Sequence, residues 1–175
     1  MADFNQVLTP GDYQNGTVNT VVEIPEGSRL KVEWDREHAT FVLDRVEPAI
    51  FAKPTNYGFI PQTLDEDGDE LDTLVVTEEP IETGVWLEAK IIGILNFEDD
   101  GEIDHKIVVV PADERNTDNK INSLKDLGSR FKEQVEHHFA HYKDLYKPGS
   151  TKVLGWGDIE DAKKVIAGAI ARYSK

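Results

Sequence analysis

The chain contains no cysteine among its 175 residues, and basic residues are scarce beside acidic ones. The lack of cysteine excludes disulfide bonds, thiolate metal sites and cysteine nucleophiles. No segment approaches the roughly 18 consecutive apolar residues that a membrane-spanning helix needs. The amino terminus also lacks the basic start and apolar core of a secretory signal. We therefore expect a cytoplasmic protein that makes no contact with a membrane.

The length predicts one domain that covers residues 1–175. The chain has 34 Asp and Glu against 19 Lys and Arg, which gives a formal net charge of -15. Small domains usually carry a net charge of about 2 to 8 in magnitude, so this excess of negative charge needs an explanation. It argues against a nucleic-acid partner, because phosphates would be repelled by such a surface.

Most of the excess charge lies in two short segments. Six of the eight residues from Asp65 to Asp72 are acidic, and so are five of the seven from Glu98 to Asp104. Without these two segments the chain has 23 acidic and 19 basic residues, a net charge of only -4. This concentration indicates a site rather than a generally acidic surface.

Each acidic segment contains an Asp-Gly step, namely Asp67-Gly68 and Asp100-Gly101. Asp-Gly between apolar runs is typical of a tight hairpin turn, whose central residues need positive φ. We expect both segments to lie on such turns at strand ends. Runs rich in Val, Ile and Thr predict strands over 17–24, 31–35, 40–45, 71–77, 85–92 and 106–110. So many short strands predict a small barrel.

The pattern becomes helical after Pro111. Apolar residues recur every three or four positions from Phe131 onward and predict a helix over about 129–146. Gly155-Trp156-Gly157 is interpreted as a turn before a second helix, which Asp158 would cap and which continues to about Tyr173. The fold class is therefore α+β, with a β-barrel first and flanking α-helices in the C-terminal third.

Three aspartates, Asp67, Asp69 and Asp72, crowd around the first turn. Carboxylates this close disfavour one another's ionisation unless cations intervene. Ligands that offer only oxygen favour magnesium, manganese or calcium over zinc. An EF-hand loop is excluded, because Glu70 and Val76 occupy the positions of its glycine and glutamate. A solvated acidic loop without a ligand is the alternative at this point.

Lysines alternate with acids in the predicted strands. Lys31, Glu33 and Asp35 share one strand face, and Asp104 and Lys106 repeat the pattern. Surface ion pairs alone would explain each couple. Together they suit an anionic substrate that metal ions join to the protein.

His137 and His141 have the i, i+4 spacing of a helical metal pair. They lack the Glu-x-x-His context of such sites, so a position in the core or at a subunit interface is favoured over metal ligation.

The string Asp67–Asp72 resembles the Asp-x-Asp-x-x-Asp signature of the family I soluble inorganic pyrophosphatases. Other segments resemble landmarks of that family and occur in the family's order: Val21–Pro25, Lys31–Glu33, Leu43–Arg45, Asn56–Ile60, Asp99–Lys106 and His141–Leu145. The resemblance covers about residues 21–156. An ordered set of this kind is far more specific than a single six-residue motif.

The resemblance implies a five-stranded OB-like barrel with helices packed outside it. It also implies an inorganic diphosphatase, which hydrolyses pyrophosphate to two orthophosphates as a metal-activated water attacks phosphorus in line. Magnesium is the expected cofactor, with manganese as a substitute. Bacterial members commonly form hexamers, so we expect a homo-oligomer.

The resemblance further implies a role for each matching residue. Asp69 is the expected general base. The expected metal ligands are Asp67, Asp72 and Asp104, with Asp99 and Glu33 for further ions and Glu23 and Asp100 as supporting acids. The expected catalytic and phosphate-binding groups are Lys31, Arg45, Tyr57, Lys106, Tyr142 and Lys143.

Four positions depart from the family pattern: Val32, Lys53, Glu70 and Thr73. None is an expected ligand, so the departures concern turn rigidity, packing and substrate affinity rather than the reaction.

Two other functions stay open. One is hydrolysis of nucleoside polyphosphates, for which the sequence offers neither a base-stacking cleft nor a Gly-rich phosphate loop. The other is a catalytically inactive barrel that binds divalent cations and serves as an interaction module.

Overall fold

The computed structural model describes residues 3–113, 115 and 120–174. Within these ranges the strands are β1 (Thr17–Ile24), β2 (Leu30–Asp35), β3 (Thr40–Val46), β4 (Asn56–Phe59), β5 (Asp72–Val75), β6 (Trp86–Asp99), β7 (Glu102–Ile103), β8 (Lys106–Pro111) and β9 (Thr151–Gly157). The helices are α1 (Phe4–Val7), α2 (Gly128–His141) and α3 (Ile159–Tyr173). Short 3₁₀ turns cover Tyr13–Asn15, Ala49–Phe51 and Leu124–Leu127.

A closed ring of five strands forms the centre of the fold. Hydrogen bonds connect β1 to β4, β4 to β5, β5 to β8, β8 to β6, and β6 back to β1. The β5–β8 pair is parallel, whereas the other four pairs in the ring are antiparallel. The predicted α+β fold with a five-stranded barrel is therefore confirmed.

The strand predictions are confirmed in position, with changes in length and three omissions, β4, β7 and β9. Strand β6 continues to Asp99 instead of ending at Ile92, because its later residues pair with β8 and β9. Strand β4 was not predicted, since four residues that include Gly58 give no clear alternation. The turn predicted at Gly155-Trp156-Gly157 is wrong, because these residues belong to β9 and pair with β6.

The β2–β3 hairpin forms a separate two-stranded sheet outside the ring. Trp34 of β2 holds it to the barrel through an edge-to-face contact with Phe4 of α1 at 4.9 Å and a stacked contact with Phe59 of β4 at 6.2 Å. Phe41 of β3 completes the cluster, 5.3 Å from Trp34 between ring centroids. Aromatic contacts of this kind add to the free energy gained from burying the rings.

Strand β8 is buried on both faces. Ile107 and Val109 pack in a core cluster with α3, whereas Val108 and Val110 pack in a second cluster with α2. This arrangement explains why β8 is a continuous apolar run rather than an alternating one.

Helix α3 begins after Asp158, as predicted. The Asp158 carboxylate accepts hydrogen bonds from the backbone N–H groups of Glu160 at 2.9 Å and Asp161 at 3.1 Å. Helix α2 ends at His141, five residues before the predicted Tyr146. Bonds from residue i+3 to residue i, such as Asp144 N–H to the His141 carbonyl at 2.9 Å, replace the helical pattern there.

The two acidic segments differ in their turns. Asp100 and Gly101, with φ of 53° and 89°, form the predicted two-residue hairpin between β6 and β7. The hairpin predicted at Asp67-Gly68 is wrong, because this step lies inside the segment 60–71 that joins β4 to β5. There the Asp65 N–H donates to the Asp69 carbonyl at 2.7 Å and closes a local turn.

No helix in the described ranges has both the length and the apolarity needed to cross a membrane.

Gly58 in β4 offers a test of the barrel packing. A Cβ atom at Gly58 would lie 2.0 Å from the Val21 carbonyl oxygen of β1. We expect Gly58→Ala to lower the free energy of unfolding by about 2 to 3 kcal/mol, because the ring of strands cannot open to admit the methyl group. Urea denaturation monitored by circular dichroism measures this loss.

Gly168→Ala is the matched control, because the nearest atom to a Cβ there is Arg172 Nη1 at 3.6 Å. It should raise stability by about 0.5 to 1 kcal/mol, since alanine is the better helix former. A Gly58→Ala protein as stable as the wild type would contradict the packing argument.

Candidate functional site

The parallel pairing of β5 with β8 places the beginnings of these strands side by side. Thr73 is in register with Ile107, so Asp72 and Lys106, which precede them, are neighbours. The Lys106 ammonium donates to the carboxylates of both Asp72 and Asp104. The parallel strands therefore assemble a charged cluster at one end of the barrel.

A cavity of about 220 Å³ opens at this cluster. Its lining includes eleven of the fourteen predicted site residues: Glu23, Lys31, Glu33, Tyr57, Asp67, Asp69, Asp72, Asp99, Asp104, Lys106 and Tyr142. The two acidic segments, far apart in the sequence, thus converge on one cavity.

Lys143 and Asp100, two of the remaining three, are joined to the cavity through Asp99. The Lys143 ammonium donates to the two Asp99 oxygens at 2.5 and 2.6 Å and to Asp100 at 3.3 Å. The Tyr142 hydroxyl donates to Asp99 at 2.7 Å. Because Tyr142 and Lys143 directly follow α2, the end of that helix is fixed against the end of β6.

Arg45 of β3, the third, is joined through Asp44. The Asp44 carboxylate lies 2.6 Å from Arg45 Nη1 and 3.4 Å from the Lys31 ammonium, which also binds Glu33. The β2–β3 hairpin thus contributes a second group of interspersed charges to the same side of the molecule.

Burial and mutual contact change the ionisation of the central cluster. Burial opposes the charge of Lys106, but Asp72 and Asp104 outweigh this effect and raise the pKa of Lys106. Burial and the charge of Asp72 raise the pKa of Asp104, against the attraction of Lys106. The Tyr57 hydroxyl donates to Asp72, and its pKa is raised by burial and by that carboxylate.

Two other acids on the cavity wall also hold their protons more tightly than usual. Burial and the charge of Asp72 raise the pKa of Glu23, although the Trp34 N–H donates to Glu23 at 2.6 Å. Burial and the charge of Asp67 raise the pKa of Asp69. These shifts indicate that negative charge is in excess in this cavity and that added positive charge would be stabilised there.

Glu70 anchors the first acidic segment, a function that the sequence did not suggest. Its side chain is only 5% exposed. It accepts hydrogen bonds from Arg36 Nε at 2.8 Å, Arg36 Nη2 at 3.1 Å and Asn5 Nδ2 at 2.7 Å. Asp69 and Asp72 are therefore positioned by a neighbouring residue that is itself fixed. Only its burial and its distant partners, which sequence spacing does not show, reveal this role.

Lys53 is the other charged residue of the cavity lining that lies outside the predicted set. The sequence marks it as a departure from the family pattern, and only the folded chain places it beside Tyr57 and Tyr142.

The prediction that His137 and His141 lie in the core is wrong, and the alternative that they lie at a subunit interface stays a prediction. His137 and His141 are exposed on α2, and His141 Nδ1 lies 2.7 Å from Asp144. His138 is the buried one, and its ring stacks on Tyr142 with 5.7 Å between centroids. Helical spacing alone could not decide which face of α2 is buried, because the stripe contains aromatic and polar residues together.

The side chains of the cavity are chemically suited to bind a hard divalent cation. Within the described ranges, however, no three His, Asp or Glu side chains already form a preassembled metal site. The acids at the cavity offer oxygen ligands only, as magnesium prefers. The buried Lys106 ammonium already holds Asp72 and Asp104 near one positive charge. A divalent cation would satisfy the same carboxylates and free Lys106.

The chain is similar to inorganic pyrophosphatases in sequence. A family model described as inorganic pyrophosphatase matches residues 20–174. Proteins named inorganic pyrophosphatase from Neisseria meningitidis and Haemophilus influenzae are each 65% identical to it over 175 residues, which cover 100% of this chain and 99% of theirs.

Solved structures give the same result. The crystal structure of an inorganic pyrophosphatase from Neisseria gonorrhoeae has a TM-score of 0.98 at 63% identity, and the match covers 99% of this chain and 100% of that one. The structure of the Thermus thermophilus inorganic pyrophosphatase has a TM-score of 0.88 at 38% identity, covering 96% and 97% of the two chains.

His138, which packs behind the cavity wall, gives a pH prediction. Burial and the charges of Lys53 and His137 lower its pKa from 6.5 to about 3. The folded protein therefore leaves His138 neutral at a pH where the unfolded chain takes up a proton. Its contribution to stability is complete above pH 6.5 and is lost as the pH falls toward 3.

Urea denaturation at pH 7.5, 6.0 and 5.0 tests this sign. The wild type should lose up to about 2 kcal/mol at pH 5 through His138. His138→Phe, which retains a ring against Tyr142, should lack this part of the decline. His137→Gln at an exposed position removes only the smallest of the three causes of the shift, so it should keep most of the decline. Equal pH dependence in the wild type and His138→Phe would contradict the assignment.

Proposed function

The chain belongs to the inorganic pyrophosphatase family, and from this premise we propose that it hydrolyses pyrophosphate to two orthophosphates. The cavity in which Asp72 and Asp104 share the buried Lys106 ammonium is the observation that carries the proposal. Pyrophosphate is strongly anionic, so a site for it must present positive charge while holding acids ready for metal ions. Ion pairs that can exchange partners meet both needs.

Magnesium is the proposed cofactor, with manganese as a substitute. The residues that would hold the ions are Asp67, Asp72 and Asp104, then Asp99 and Glu33, with Glu23 and Asp100 in support. When bound, the ions would neutralise these acids and lower the pKa of a water molecule.

The substrate phosphates would bind to groups that now hold carboxylates. The proposed phosphate-binding residues are Lys31, Arg45, Tyr57, Lys106, Tyr142 and Lys143. Lys106 and Lys143 are each paired with two acids in the structure. If metal ions held those acids, the ammonium groups of Lys106 and Lys143 would be available to phosphate oxygens. The number of charge–charge contacts is thereby maintained without leaving a buried charge unpaired.

Asp69 is the proposed general base. Its side chain is exposed to solvent at the cavity wall, and its raised pKa makes it a better proton acceptor than an aspartate with the ordinary pKa. It would accept a proton from the attacking water as the new bond to phosphorus forms and the bridging P–O bond breaks. The phosphate-binding cations would stabilise charge on the leaving phosphate.

Two neighbouring variants separate base from ligand. Asp69→Asn should lower kcat by about 10²- to 10⁴-fold and leave magnesium affinity near the wild-type value. Asp72→Asn should weaken magnesium binding, because it removes a charged ligand at the centre of the cluster. Steady-state kinetics at saturating magnesium and isothermal titration with magnesium chloride measure the two effects. An unchanged kcat for Asp69→Asn, or an unchanged affinity for Asp72→Asn, would contradict the respective role.

A phosphate-release assay tests the function itself. We expect rapid release from pyrophosphate with magnesium and none with excess EDTA, because without cations the clustered acids would repel the substrate. Faster release from nucleoside triphosphates would favour the nucleotide-hydrolase alternative. Magnesium binding without any release would favour the inactive cation-binding module.

Three broader predictions belong to the same proposal: one pyrophosphatase domain over the whole chain, a cytoplasmic location and assembly into a homohexamer. Exposed apolar side chains on the β2–β3 hairpin, including Val42 and Leu43, supply surface that subunits could cover. Light scattering that gave a mass near 19.7 kDa would contradict assembly but not catalysis.

A further inference from the structure

Lys53 has a fixed backbone at the edge of the cavity. Its N–H donates to the Ser28 carbonyl at 3.0 Å, and its carbonyl accepts from the Gly27 N–H at 2.9 Å. Pro54 follows it and restricts the backbone further. The start of the Lys53 side chain is therefore held in one place, so its direction is set by the fold.

The Lys53 ammonium lies against aromatic rings of the cavity wall. It is 4.5 Å from the centre of the Tyr57 ring, 5.7 Å from that of Tyr142 and 5.9 Å from that of Phe139. Contacts between a cation and ring faces stabilise the charge only modestly. Lys53 is half-buried, so the rings also remove part of its hydration.

Lys53 differs from the other lysines at the site, because no described residue provides it with a counter-ion. Lys31, Lys106 and Lys143 each form ion pairs with two acids. Lys53 forms none with any acid in the described part of the chain. Burial, Lys106 and Lys31 together lower the pKa of Lys53 to about 8. An anion that reached this ammonium would relieve both the desolvation and the repulsion.

We propose that Lys53 is a further substrate-binding residue, whose ammonium contacts a phosphate oxygen of pyrophosphate beside the hydroxyls of Tyr57 and Tyr142. The inference rests on the proposed function. Since no acid has to be displaced from Lys53, this contact costs no ion pair, unlike the contacts that Lys106 and Lys143 would make. Lys53 therefore contributes to affinity for the phosphate groups.

The test compares Lys53→Met, Lys53→Arg and the control Lys152→Met. Methionine keeps an unbranched side chain against the rings but removes the charge, and Lys152 is an exposed lysine of β9. Lys53→Met should raise KM for magnesium pyrophosphate by about 10- to 100-fold, as expected for loss of a charge-assisted hydrogen bond. Lys53→Arg should retain most of the affinity, and Lys152→Met all of it.

Isothermal titration with inorganic phosphate in the presence of magnesium provides a readout that does not need turnover. Lys53→Met should weaken phosphate binding by a factor similar to the change in KM. A purely structural role predicts instead a lower melting temperature with unchanged phosphate affinity, and this result would overturn the inference. Wild-type values of both KM and phosphate affinity in Lys53→Met would overturn it as well.

Three further outcomes have defined consequences. If Lys53→Met does not fold, Lys53→Gln replaces it in the same comparison and must show the same loss of phosphate affinity. If the wild type does not hydrolyse pyrophosphate but Lys53→Met still loses phosphate affinity, the inference stands and the proposed function fails. A wild type that binds no phosphate with magnesium present would overturn the inference.

Discussion

The structure depends on one buried charge, the ammonium of Lys106 between the carboxylates of Asp72 and Asp104. Only 2% of the Lys106 side chain is exposed, so the charge cannot be satisfied by water. The buried ammonium therefore needs acidic partners in the closed barrel. The parallel pairing of β5 with β8 supplies Asp72 as one partner from the adjacent strand. The closure of the barrel and the assembly of the charged cavity are therefore the same structural event.

Ion pairs between acidic and basic side chains organise the rest of the cavity, and Lys53 departs from this pattern. Most cations around it hold acids, and most acids hold cations, which keeps a strongly acidic protein from repelling itself at this point. Glu70 extends the principle outward, because its bonds to Arg36 and Asn5 fix the segment that carries Asp69. Lys53 is the exception, since it faces aromatic rings instead of an acid. The ion pairs explain how the cavity stays assembled, whereas Lys53 indicates where a bound anion would be stabilised.

Sequence patterns predicted structural elements well where local interactions alone determine the conformation. The N-cap at Asp158 and the hairpin at Asp100-Gly101 follow from local hydrogen bonds and local φ angles, and both are present. Predictions failed where distant contacts decide the outcome. Gly155 lies in a strand because β6 is long enough to pair with it. The Asp67-Gly68 step forms no hairpin, because the strand that pairs with β5 ends before the segment 60–71.

The sequence by itself determined the α+β class, the two acidic segments and, through its resemblance to a family, fourteen candidate site residues. These features can be read along the linear sequence, because composition, periodicity and short ordered motifs do not depend on which distant residues come into contact. Only the tertiary structure decided that the two segments share one cavity, that Glu70 is an anchor and that Lys53 has no counter-ion in the part of the chain that the structure describes. The physical reason is that burial, desolvation and ion pairing depend on residues brought together from distant parts of the chain.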